Sequence, residues 1–233
     1  MLPQITRLKR AALDLLFPPY CLGCGREGNY FCGRCARELT YISPPVCRIC
    51  GRPLTPDGHC PGCISIQHEI DGIRAPFLFE GLIRKAIHDF KYNNLRSLSP
   101  FLASYLSEFL VENPLPGEVL VPVPVHPKRL RERGYNQTSL LAFELGKLTG
   151  MRVDNGSLIR SVYNTPQAKL SSGTERLQAA AGAFTCRDNK LQGEKVILID
   201  DVSTSGATLN ACAAALKEAG ATSVWGLTLA LEL

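Results

Sequence analysis

The stretch Val196-Ile197-Leu198-Ile199-Asp200-Asp201-Val202-Ser203-Thr204-Ser205-Gly206-Ala207-Thr208-Leu209 constrains this chain most. Four consecutive apolar residues suit a strand covered on both faces. Asp200 and Asp201 end that run. Ser203 to Gly206 then turn the chain into a segment, Ala207–Ala219, with Leu209, Cys212, Ala213 and Leu216 at helical spacing and a stop at Gly220. Backbone N–H groups at a turn entering a helix are partly positive and can cradle an anion. Ser203, Thr204, Ser205, Gly206, Ala207 and Thr208 are small or hydroxyl-bearing, as a phosphate cradle needs. Two acids just upstream would repel that phosphate. They suit the vicinal hydroxyls of a ribose, or Mg²⁺ on a pyrophosphate. Together they predict a ribose 5-phosphate site at the carboxyl end of a central strand, where open α/β sheets bind ligands. A plain hydrophilic turn with one capping Asp explains only part of the string.

Eight of the ten cysteines form four Cys-x-x-Cys knuckles, Cys21/Cys24, Cys32/Cys35, Cys47/Cys50 and Cys60/Cys63, within 43 residues. Two knuckles aim four thiolates at one point and complete a tetrahedral zinc site, so two structural Zn²⁺ ions are expected. A disulfide framework would need an oxidising compartment, and nothing in the N-terminal residues reads as an export signal. The region is poor in large apolar residues and rich in Gly and Pro, so metal must supply most of its folding free energy. Sequential and interleaved knuckle pairings both fit the spacing. His59 is a weaker ligand candidate beside Cys60. Gly23 to Gly28 matches G-x-G-x-x-G but follows no strand and contains Cys24, so it is set aside as a dinucleotide site. Cys186 and Cys212 lack knuckle partners and read as small hydrophobes.

Residues 1–17 read as a leading amphipathic helix, 18–66 as a double zinc module and 67–233 as an α/β domain. Within it, 70–80 suggest a strand, 81–92 a helix, and 99–112 a helix capped by Ser99. Residues 119–125 look like a second central strand. Residues 126–133 read as a basic loop, and a helix then runs to about Leu148. Lys128, Arg129, Arg131 and Arg133 follow a strand end and put positive charge on the rim of the phosphate cradle, as a pyrophosphate-binding loop would. Residues 157–176 carry Arg160, Asn164, Thr165, Gln167, Lys169 and Arg176 with little apolar periodicity, in the manner of a closing loop or plain surface loop. Residues 223–231 read as a final buried strand. The formal charge of +5 is diagnostic of no partner, and no apolar run is long enough to span a membrane. A cytoplasmic address is expected, without membrane insertion.

The Asp-Asp string closely resembles the phosphate-binding signature of type I phosphoribosyltransferases. Leu15 to Cys21, the knuckles, Phe90-Lys91-Tyr92, Val121-Pro122-Val123-Pro124, Arg133-Gly134-Tyr135-Asn136-Gln137, Thr165-Pro166-Gln167 and Arg176 then follow in an order similar to that of the ComF family of competence-related, phosphoribosyltransferase-like proteins. Ser205 stands where a second Thr is common. The resemblance implies a parallel sheet flanked by helices and 5-phosphoribosyl 1-diphosphate with Mg²⁺ as ligand. Asp200 and Asp201 would take the ribose hydroxyls and Ser203 to Thr208 the 5-phosphate. It also implies a link to DNA uptake, with single-stranded DNA and proteins of the competence machinery as partners. An accessory role in DNA handling, or a docking role for the zinc module, therefore stands beside the transferase reading. No residue identifies the acceptor or a general base.

Overall fold

A computed structural model describes residues 18–60, 63, 68–160 and 182–233. The leading segment 1–17 and the 161–176 part of the expected closing loop lie outside them. Six strands form one parallel sheet in the order β1-β8-β7-β3-β4: β1 (Gly72–Arg74), β3 (Val119–Pro122), β4 (Arg152–Val153), β7 (Lys195–Ser203) and β8 (Ser223–Leu231), with β2 (Phe77–Leu78) also pairing β8. A separate antiparallel pair joins β5 (Leu158–Arg160) to β6 (Phe184–Cys186).

The helices are α1 (Gly33–Ala36), α2 (Gly81–Tyr92), α3 (Leu98–Glu112), α4 (Pro127–Arg133), α5 (Gln137–Thr149) and α6 (Ala207–Glu218). The period-2 alternation of β7 divides the core into two layers. Ile197 and Ile199 join α2, α3 and α5 on one face; Val196 and Leu198 join α6 and β6 on the other. Asp201 continues the first set and Asp200 the second.

Four expectations need correcting. The central strand does not stop at the acids but runs through Ser203, because β8 pairs with it to Leu231. The basic segment 126–133 is a short helix rather than a loop: His126 caps it, Pro127 opens it, and Gly134 closes it in the left-handed region at φ 78°. Ser99 lies inside α3, whose cap residue is Ser97, and its hydroxyl donates back to the Arg96 carbonyl at 2.9 Å. The expected strand over 70–80 is broken at Ala75-Pro76 into β1 and β2.

Candidate functional site

The chain leaves β3 through α5 toward β4 at one edge, and leaves β7 through α6 toward β8 at the other. The strand order therefore reverses between β3 and β7, and a crevice opens at their carboxyl ends. α4 follows β3 and the 203–208 loop follows β7, so both sequence-predicted anion sites lie at the same end of two adjacent parallel strands.

The loop turns on Gly206, which sits at φ 77° as the cap residue of α6. A side chain there would be strained, and a Cβ would lie 3.1 Å from Ile73 Cδ1. Ser203 and Ala207 are buried, whereas Thr204 is exposed and Ser205 and Thr208 are half-buried. Ser205 Oγ accepts from Ala207 N at 3.4 Å. No acid occupies the first turn of α6, so the positive end of its dipole has no acidic partner from that turn.

The two acids have different surroundings. Asp201 is 2% exposed. Its Oδ1 lies 2.8 Å from Lys91 Nζ, and its Oδ2 accepts from Gln137 Nε2 at 2.9 Å. Arg133 donates to the Gln137 side-chain oxygen, so α2, β7, α5 and α4 are tied through one polar chain. Burial opposes the Lys91 charge, yet the adjacent Asp201 carboxylate holds its pKa above the usual lysine value. Asp200 points to the opposite face of the sheet, where its Oδ1 accepts from Asp201 N at 2.9 Å. Burial, reinforced by the Asp201 charge, pushes Asp200 up to about 7. Lys91 and Arg160 offset part of this cost at Asp200, while Asp201 is paired directly with Lys91.

The four cations of α4 also divide. Arg129 and Arg133, one helical turn apart, line a cleft of about 560 Å³ with Lys91, Tyr92, Asn94, Glu132 and Tyr135. Lys128 and Arg131 lie outside that lining. Arg133 stacks over the Tyr92 ring at 5.3 Å. His126 Nδ1 accepts from Lys128 N at 3.1 Å. Burial and then the charges of Arg160, Arg131, Arg129 and Lys128 hold His126 below its usual value, in the neutral form its capping role needs.

Lys91, Gln137 and Tyr92 were not singled out as site residues from the sequence. Lys91 and Tyr92 enter there through the Phe90-Lys91-Tyr92 motif and Gln137 through the 133–137 turn, and nothing in the chain signals that Lys91 ends up beside Asp201.

The eight knuckle cysteines resolve into two groups, Cys21/Cys24/Cys32/Cys35 and Cys47/Cys50/Cys60/Cys63, in each of which the sulfurs lie within 4.8 Å of one another. The pairing is therefore sequential. Cys24 and Cys32 sulfurs are 3.7 Å apart and those of Cys50 and Cys60 3.5 Å, close to the ~3.8 Å edge of a tetrahedron with ~2.3 Å zinc–sulfur bonds. Both are Cys₄ zinc-binding sites. His59 belongs to neither group and faces Asp57 at 3.0 Å instead. Cys212 is fully buried against β6 and β7, as its apolar reading requires. Among the described residues, no helix is long and apolar enough to cross a membrane.

Two family models match the chain: a double zinc ribbon domain over residues 12–64 and a phosphoribosyl transferase domain over residues 159–230. Competence protein ComFC of Bacillus subtilis is 33% identical over 206 residues, covering 85% of this chain and 82% of that protein. Competence protein F of Haemophilus influenzae is 29% identical over 222 residues, covering 90% of each. The DNA utilization protein YhgH of Salmonella typhi is 26% identical over 208 residues, covering 83% of this chain and 85% of its own length. With that identity to ComFC over 85% of its length and with both domains matched, the chain belongs to the ComF family of competence-related, phosphoribosyltransferase-like proteins, in the form with an N-terminal double zinc ribbon.

Proposed function

We propose that this protein binds 5-phosphoribosyl 1-diphosphate with Mg²⁺ at the switch-point rim. The observation that carries the reading is that a Gly206-centred helix-entry loop and the acid pair follow the end of β7, beside β3, while Arg129 and Arg133 line a cleft shared with Lys91, the ion-pair partner of Asp201. The 5-phosphate is held by the loop from Ser203 to Thr208, the ribose hydroxyls by Asp200, and the pyrophosphate by Arg129 and Arg133, with Lys128 and Arg131 adding charge from outside the cleft. Asp201 sets the position of Lys91 and Gln137 through its two bonds, and offers the second carboxylate of the pair. Mg²⁺, when bound, neutralises charge on the pyrophosphate; Asp200 and the ribose hydroxyls are the oxygens that suit it.

The same arrangement suits phosphoribosyl transfer. The bond from ribose C1 to the pyrophosphate oxygen breaks, the electron pair leaves with pyrophosphate, and the acceptor bonds to C1. Negative charge builds on the leaving group, where Arg129 and Arg133 stand, and positive charge builds on the ring, where Asp200 stands. The eight thiols need a reducing compartment to remain available to zinc, so the reading places the chain in the cytoplasm.

A second reading has its own support. Tyr92 is 66% exposed, with Arg133 over its ring and the His88 ring 4.9 Å away. Such a layered aromatic and cationic surface suits stacking of single-stranded DNA, and the relatives' names link them to competence and DNA utilization. Partner proteins of the competence machinery belong to this reading.

Titration calorimetry with 5-phosphoribosyl 1-diphosphate and Mg²⁺ tests the first reading. Wild type should release heat and Asp200→Asn should not; a silent wild type overturns it. Salt-dependent retention of single-stranded DNA that Tyr92→Ala abolishes would support the second.

A further inference from the structure

The second zinc ribbon is built into the floor of the phosphate loop. Its knuckle turn is stitched to β1: Ile73 N donates to Ile49 O at 2.6 Å, and Arg74 Nη1 donates to Arg48 O at 3.0 Å. Gly51 sits at φ 72°, and a Cβ there would lie 2.4 Å from the Ile73 carbonyl oxygen, so the turn lies flat on the strand. Ile73 in turn abuts Gly206 of the loop. Arg52, two residues past Cys50, reaches across and donates to the Thr204 carbonyl. A cavity of about 20 Å³, lined among others by Cys50, Cys63, Ser205 and Gly206, separates the metal ligands from the loop, room for about one water.

That contact has a directional consequence. In a planar trans peptide the C=O and the following N–H point opposite ways. Fixing the Thr204 carbonyl toward the ribbon therefore aims the Ser205 N–H away from it, as an anion donor on the loop's other side. The guanidinium also adds positive charge beside the loop.

We propose that Arg52 is a positioning residue for the 203–208 loop, so that zinc at Cys47, Cys50, Cys60 and Cys63 and the ligand's phosphate strengthen each other's binding. This rests on the ligand reading above. Coupling of this kind is reciprocal: whatever factor zinc contributes to ligand affinity, the ligand returns to zinc retention.

The test uses the full-length, zinc-loaded protein. Calorimetry with 5-phosphoribosyl 1-diphosphate and Mg²⁺ should show Arg52→Met binding about tenfold more weakly than wild type, the value of one hydrogen bond from a charged donor. Arg52→Lys, which keeps a charged donor, should bind between the two. Zinc transfer to a chromophoric chelator should be slowed by saturating ligand for one of the two ions in wild type, and for neither in Arg52→Met. Trp225, the single tryptophan, borders the ribbon beside Arg48, Ile49 and Arg74, so unchanged emission shows that the variant's ribbon is still seated. If Arg52→Met unseats it, zinc release from wild type decides alone. Equal ligand affinity in wild type and a seated Arg52→Met, or zinc release that ligand leaves untouched in wild type, overturns the coupling while leaving the ligand reading intact. A wild type that binds no ligand removes both.

Discussion

Asp200 holds a carboxyl where the fold would prefer it neutral. Its folded pKa is raised to about 7, by burial first and by Asp201 second. Below the ordinary carboxylate range the folded and unfolded chains are both protonated there, and nothing is lost. Between about 4 and 7 the unfolded carboxyl ionises and the folded one does not, so stability falls as pH rises through that window. Asp200→Asn keeps the acceptor for Asp201 N and removes the cost. At about 2–4 °C per kcal/mol for a chain of this size, the variant should melt several degrees above wild type at pH 8 and level with it at pH 4, by calorimetry. A variant that gains nothing at pH 8 would show Asp200 to be ordinary. Lys91 poses the opposite case. Lys91→Met strands the Asp201 charge in the interior and should cost about 3–5 kcal/mol in denaturant unfolding; a loss under about 1 kcal/mol would mean that Asp201 finds other partners. The acids themselves were legible in the sequence as a pair. Their division was not, because it depends on which face of β7 each occupies and on Lys91 arriving from a distant helix.

At the scale of elements, legibility followed the strength of the periodic signal. The spacing of Ile83, Ala86, Ile87 and Phe90 marks a helix over 81–92, and Gly81–Tyr92 is what forms, with all four buried. Ser223–Leu231 is likewise a strand from end to end. α4 escaped because its seven residues bury none and so show no apolar stripe, although Pro127 at its start and Gly134 at its end are helix punctuation. The loop 203–208 makes the sharpest element-level prediction. Gly206 lies in the left-handed region and against Ile73. Gly206→Ala should lower stability by about 1–2 kcal/mol, the cost of placing a Cβ there, and should weaken ligand binding, because the α6 N–H groups shift with the turn. Unfolding and calorimetric titration on one preparation separate the two effects. A variant as stable as wild type would mean that the turn relaxes into another conformation at no cost.

At the scale of the whole molecule, the zinc ribbons join two sides of the sheet rather than hanging from it. The first ribbon inserts Phe31 against Phe101 at 5.0 Å and Tyr105 at 6.1 Å on α3, and Lys85 Nζ donates to Leu22 O at 2.6 Å. Phe31 and Leu39 belong to the main core cluster. The second ribbon grips β1 and the phosphate loop. The presence of the metal sites was readable from knuckle spacing alone, whereas their docking was not, since aromatic contacts between distant segments leave no periodic trace. Zinc removal therefore has a consequence that an independent module would not show. Structural sites of this kind supply on the order of 10–16 kcal/mol each, and without them residues 18–60 hold too few large apolar side chains to stay folded. Phe31 and Leu39 would then leave the core, exposing Phe101 and Tyr105. Chelation should release two zinc ions per chain, induce binding of a hydrophobic dye, and lower the melting midpoint of the sheet itself, followed by circular dichroism. Dye binding should return to baseline when zinc is restored. A sheet that melts at the same temperature with and without metal would show the ribbons to be energetically independent of it, and would remove the physical basis for any conversation between zinc and the rim.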